Sequence, residues 1–117
     1  MKVLEKVTRL AVWDFDGTAM DTLNPDKGAP IWLAVKGEKW PHRGWWGQPD
    51  SLDMSVFDFK PIPEVKSAYE IEVVKDDTMN VLLTGRRATS SKKVGLETEV
   101  KAICDANGYV FDRYLLN

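Results

Sequence analysis

The 117-residue chain reads as an α/β protein built around a small parallel sheet. Three observations predict that class. The apolar runs Leu10–Trp13 and Met79–Leu83 each end in a glycine-bearing polar turn. A helix-like stretch separates them, and a second one precedes a third apolar run at Tyr109–Phe111. Strands joined through helices of this length are linked by crossovers, and crossovers make parallel pairs.

Residues 7–15, VTRLAVWDF, fit a buried strand that runs into an Asp-rich turn at Gly17. From Ala19 to Pro61 the texture changes, with eight Gly and Pro residues between Pro25 and Pro49. That stretch reads as a cap-like insertion of turns and short elements, in which Ile31–Val35 form one turn of helix or a short strand. Residues 63–76 follow as an amphipathic helix with Pro63 near its start. Met79–Gly85 is the second strand, and Thr89, Ser90 and Ser91 offer an N-cap for a helix over about 91–107. Asn107-Gly108 stops that helix, and Tyr109-Val110-Phe111 forms the third strand. The whole, 1–117, is one domain with its insertion at about 19–61.

Composition narrows the function classes. A formal net charge of -2 and a pI near 5.4 give no whole-molecule basic field for gripping nucleic-acid backbones, so any phosphate recognition is local. The single cysteine, Cys104, excludes an internal disulfide framework, and with one histidine, His42, it cannot readily build a zinc site. Cys104 lies beside Val100 and Ile103 and reads as a small core residue. No run approaches a membrane span, and MKVLEKVTRL lacks a signal-peptide core, so a soluble, cytoplasmic protein is expected. Five tryptophans stand out, four of them within residues 32–46.

The strongest chemical signal is Asp14-Phe15-Asp16-Gly17-Thr18, directly after the first strand. Ligands bind at the carboxyl ends of parallel strands, and alternation lets both carboxylates leave on one side. The bland alternative is a solvated Asx turn. The second signal is Leu82-Leu83-Thr84-Gly85-Arg86-Arg87, where a hydroxyl, a glycine amide and cations at a strand end can hold phosphate oxygens. By itself it is equally well a polar loop; the two signals together carry more.

On these motifs the chain resembles the haloacid dehalogenase-like (HAD) hydrolase superfamily, with its strand ending D-x-D-G-T and a second strand ending in Thr or Ser. More narrowly it resembles the phage and viral Swiss Army Knife RNA repair-like HAD group, through VWDFDGT, RGWWGQP (Arg43 to Pro49), VLLTGRR and GYVFDRYLL. The resemblance implies a Rossmann-like three-layer core with a parallel sheet and a small Trp/Gly/Pro-rich cap. It implies a phosphomonoester hydrolase in which Asp14 is the nucleophile and forms an aspartyl-phosphate, while Asp16 is the general acid and then the base. Thr84, Gly85 and Arg86 would bind the phosphoryl group. Mg²⁺ would be the cofactor, held by the Asp14 carboxylate and the Asp16 backbone carbonyl. Nucleotides or nucleic-acid ends are the implied substrates.

The family pattern also contains a lysine and an acidic pair ending a fourth strand, and neither is found. Asp112 is the only acid near the last strand, and Lys92 and Lys93 read as solvated residues rather than substitutes. Without a fourth strand the first becomes an exposed edge, which invites pairing. Three explanations follow: a fragment of a longer protein, a homodimer or second polypeptide that completes the sheet, or a reduced domain with impaired chemistry. The alternative function is accordingly a catalytically impaired or split HAD-fold binding module. The cap tryptophans read first as the core of a Gly- and Pro-rich lobe. Trp45 and Trp46, with Arg43 and His42 beside them, are candidates for stacking on a substrate base or sugar.

Overall fold

The computed structural model describes residues 6–87 and 96–117. In chain order they form β1 (Arg9–Trp13), β2 (Met20–Asp21), α1 (Pro25–Lys36), a 3-10 turn (Pro49–Leu52), β3 (Lys60–Pro61), α2 (Pro63–Val73), β4 (Thr78–Thr84), α3 (Glu97–Ala106) and β5 (Arg113–Leu116). The expected mixed α/β class and parallel sheet are present: β4 lies at the centre, with β1 and β5 parallel to it on either side. Trp13 is opposite Leu82, and Leu83 is opposite Leu115. No helix among the described residues is long and apolar enough to cross a membrane.

One face of this sheet carries the core. Trp13 donates from Nε1 to Asn80 Oδ1 at 3.0 Å and meets Tyr69 of α2 edge-on. The Tyr69 hydroxyl both donates to Val110 O and accepts from Val110 N, each at 2.8 Å. Tyr109 and Phe111 stack beside it. These contacts correct the third strand, which is Arg113–Leu116 rather than Tyr109–Phe111. Tyr109 and Phe111 are both buried, but as a plug against α2 whose central backbone groups are spent on Tyr69. Asp112 then docks the chain on β4, with its N–H on Asn80 O and its carboxylate accepting from Asn80 N, both at 2.8 Å.

The chain steps from β1 to β4 to β5 in one direction. Right-handed crossovers of that kind lay both connecting helices on the same face. The opposite face exposes Leu10, Val12, Leu83 and Leu115, each at least half accessible. Among the described residues there is thus one helical layer on the sheet, and the second layer of a three-layer core is not built.

The insertion differs from expectation too. Instead of a single turn or short strand at Ile31–Val35, it contains the twelve-residue α1. Asn24 caps its start by accepting from Lys27 N, Pro25 occupies the first position, and Gly37 closes it in the left-handed region at φ 75°. Gly28 and Pro30 look like helix breakers in the sequence. Pro30 forfeits one backbone bond, but Gly28 has a packing reason: a Cβ there would run into the Trp45 ring. Trp32, Trp40, Trp45 and Phe57 form one ring cluster with centroids 4.5–6.4 Å apart, the lobe core expected of them. The antiparallel ribbon of β2 and β3 clasps the two ends of the lobe together. The proposed cap of the second long helix at Thr89–Ser91, its first turn, and Lys92 and Lys93 lie outside the described residues.

Candidate active site

The turn after β1 aims its aspartates by burying what lies between them. Phe15 is fully buried, and the backbone closes around it with Ala19 N on Asp14 O and Met20 N on Phe15 O. Gly17, at φ 72°, lets its own N–H reach Met20 O at 2.8 Å, a conformation an L side chain would strain. Asp14 and Asp16 consequently open into a single cavity of about 410 Å³, together with Thr84, Gly85, Arg86 and Trp46. Both motifs thus meet at the carboxyl ends of adjacent parallel strands, β1 and β4.

The two carboxylates have different surroundings. Asp14 is exposed, and its Oδ1 accepts from Phe15 N at 2.8 Å. Asp16 is gripped by a fork: Arg86 Nε donates to Oδ2 at 2.9 Å and Nη2 donates to Oδ1 at 2.8 Å. Thr22 Oγ1 adds a third bond to Asp16 Oδ1 at 2.8 Å. The same guanidinium donates from Nη1 to Ser51 Oγ at 2.8 Å and Trp46 O at 3.1 Å. Arg86, only 3 % exposed, thereby ties the turn after β1 to the lobe. Four of its donor contacts are thus taken up inside the protein, so in this arrangement it faces Asp16 rather than an open phosphate site.

Thr84 is buried at the end of β4, and its Oγ1 accepts from Arg86 N at 3.2 Å, which shapes the turn that presents Gly85. A neighbouring cavity of about 620 Å³ also opens onto Asp14, Thr84 and Gly85, bounded by Val12, Leu83 and Leu116 at the end of the bare sheet face.

The remaining sequence candidates divide. Trp46 lines the carboxylate cavity and is 43 % exposed. Trp45 is buried in the ring cluster, with Nε1 on Leu23 O at 3.0 Å, so its main work is packing. Arg43 is exposed and outside the linings of these cavities. His42 pairs with Asp50 at 2.7 Å and packs on Trp40, away from the carboxylates. Asp112 precedes β5 and docks on Asn80, which is paired with Ala11 in β1, so it is outside the carboxylate cavity. Sequence reasoning missed Thr22 and Ser51, isolated hydroxyls with no motif around them.

No group of three His, Cys, Asp or Glu side chains suited to a metal is found among the described residues. The groups that the resemblance implies as Mg²⁺ ligands are the Asp14 carboxylate, whose residue lines the cavity, and the Asp16 carbonyl. The turn's backbone bonds use the carbonyls of Asp14, Phe15 and Met20 and leave that of Asp16 out. One carboxylate and one carbonyl fit Mg²⁺, which keeps several waters and takes few protein ligands. Comparison with family models, curated proteins and solved structures returned no match.

Proposed function

We propose that this chain is a cytoplasmic, Mg²⁺-dependent phosphomonoester hydrolase of the HAD-like type, acting on nucleotides or nucleic-acid ends. The observation that carries the reading is the convergence of Asp14, Asp16, Thr84 and Gly85 on one cavity at the ends of β1 and β4. Asp14, exposed and free of any cation among the described residues, attacks phosphorus. Its oxygen bonds to phosphorus as the ester P–O bond breaks, giving an aspartyl-phosphate and an alcohol. The Gly85 amide and Thr84 hydroxyl hold the phosphoryl oxygens. Asp16 delivers the proton that the leaving oxygen requires and afterwards takes one from the attacking water. Arg86 and Thr22 take up two acceptor sites on Asp16 Oδ1 and one on Oδ2, which leaves a lone pair on Oδ2 to carry that proton. Mg²⁺ on Asp14 and the Asp16 carbonyl would supply charge neutralisation at the phosphoryl group.

The test is phosphate release from a phosphomonoester with Mg²⁺ or with chelator. Release that depends on Mg²⁺ and falls to background in Asp14→Asn is the expected result; unchanged turnover in that variant excludes covalent catalysis by Asp14. A second reading, a catalytically impaired or split HAD-fold binding module, is favoured by one observation: the described residues place neither a third carboxylate nor a lysine in the cavity. In that reading a second copy or second polypeptide covers the bare apolar sheet face and the β1 edge.

A further inference from the structure

Beside the carboxylate cavity lies another, of about 400 Å³, between the lobe loop at Gly44–Gln48 and the turn after β4. The two share Trp46, Gly85 and Arg86, so they are halves of one continuous cleft. Their chemistry is opposite. The carboxylate half holds Asp14 and Asp16, whereas no acidic side chain lines the second, which adds Gln48 and Arg87.

Trp46 forms the divide, and its setting differs from that of the other lobe tryptophans. Trp32, Trp40 and Trp45 are committed to the ring cluster, while Trp46 stays outside it and 43 % exposed. It is nevertheless held firmly. Arg86 binds its carbonyl at 3.1 Å and places a guanidinium 5.2 Å from its ring centre. A buried ion pair is weak support for stability, but this one fixes an exposed indole at a cleft. Because the Arg86 charge is answered by Asp16, the cation offered to a ligand here is the exposed Arg87. Gly44, Gly47 and Gly85 line the cavity without side chains, and no atom stands within 4 Å of a would-be Cβ at any of them, which leaves room for a ligand there.

We propose that this second half-cleft is a subsite for the leaving portion of the substrate, with a base stacked on Trp46 and a second phosphate held by Arg87 and Gln48. The ligand class is a nucleotide that carries a second phosphate. A sugar phosphate supplies no planar ring, and a mononucleotide leaves Arg87 unanswered. The inference deepens the phosphatase reading and rests on it only for what occupies the carboxylate half.

Binding of adenosine bisphosphate, adenosine monophosphate and ribose phosphate to the full chain, by calorimetry without turnover, tests it. The bisphosphate should bind about tenfold more tightly than the monophosphate, the worth of one charged hydrogen bond. Arg87→Gln should erase that difference by weakening the bisphosphate about tenfold more than the monophosphate. Trp46→Leu should weaken both nucleotides and spare ribose phosphate, and Trp46→Phe should restore most of the loss, which a folding defect would not do. Equal affinity for the two nucleotides, no binding of either, or a preference untouched by Arg87→Gln overturns the subsite. Failure of the phosphatase reading shows separately, as intact selective binding without phosphate release.

Discussion

Arg86 is a full positive charge at 3 % exposure, answered by a two-pronged contact to Asp16 and by neutral oxygens from the lobe. Removing one member of such a pair leaves the other charge uncompensated. Arg86→Met should therefore cost about 3 kcal/mol in urea denaturation, the low end for a broken buried pair because Asp16 keeps some water contact. Arg86→Lys should recover only part, since an ammonium cannot reproduce the fork. Cys104 behaves in the opposite sense. Burial pushes its thiol up to about 12, with Asp105 adding to the effect. Native protein should resist thiol reagents at neutral pH, and rapid labelling would contradict its place in the core. The meeting of Asp14, Asp16, Thr84 and Gly85 at one cavity was legible in the sequence because strand ends and turn chemistry are local. Ser51 and Thr22 were not, because each is a common hydroxyl given its partner by tertiary folding. Arg86 was legible as a residue of this cavity, but not in its grip on Asp16, for which the lobe had to be in place.

Among the elements, those with a simple local pattern were readable: β1, α2 and β4 fall close to where periodicity puts them. The errors arose where packing overrides local signals. Tyr109 and Phe111 look like strand residues, yet they serve as a plug for Tyr69, and the strand forms after them. In α1, Gly28 reads as punctuation, but its missing side chain admits the Trp45 ring. Gly28→Ala should accordingly destabilise the protein despite better helix propensity. Overpacking typically costs about 1–3 kcal/mol, against a propensity gain of about 1 kcal/mol. A denaturation midpoint that rises in this variant would mean that α1 and Trp45 do not meet as described.

At the scale of the whole molecule, one sheet face is packed and the other carries exposed Leu10, Val12, Leu83 and Leu115. Parallel sheets are ordinarily covered on both faces, so this surface should drive association. Light scattering is expected to give a mass above that of one chain, and Leu83→Lys with Leu115→Lys should return it to a monomer. A wild-type monomer at high concentration would count against the surface as an interface. Stability should also fall at alkaline pH. Burial raises Cys104, Tyr109 and Tyr114 to about 12 from ordinary values of 9.0, 10.0 and 10.0. Above about pH 9 the unfolded chain therefore releases protons that the folded chain retains, and rising pH favours unfolding until the folded groups titrate as well. Urea midpoints that stay flat from pH 8 to 11 would disagree.

The claim on which the functional account turns is that Asp14 becomes phosphorylated. Acid-quenching the protein during turnover of a phosphomonoester with Mg²⁺, followed by peptide mass spectrometry, tests it most directly. One phosphoryl group is expected on the peptide containing Asp14, labile to hydroxylamine and absent in Asp14→Asn. Phosphate release with no such adduct, or with an adduct on a different residue, would contradict it.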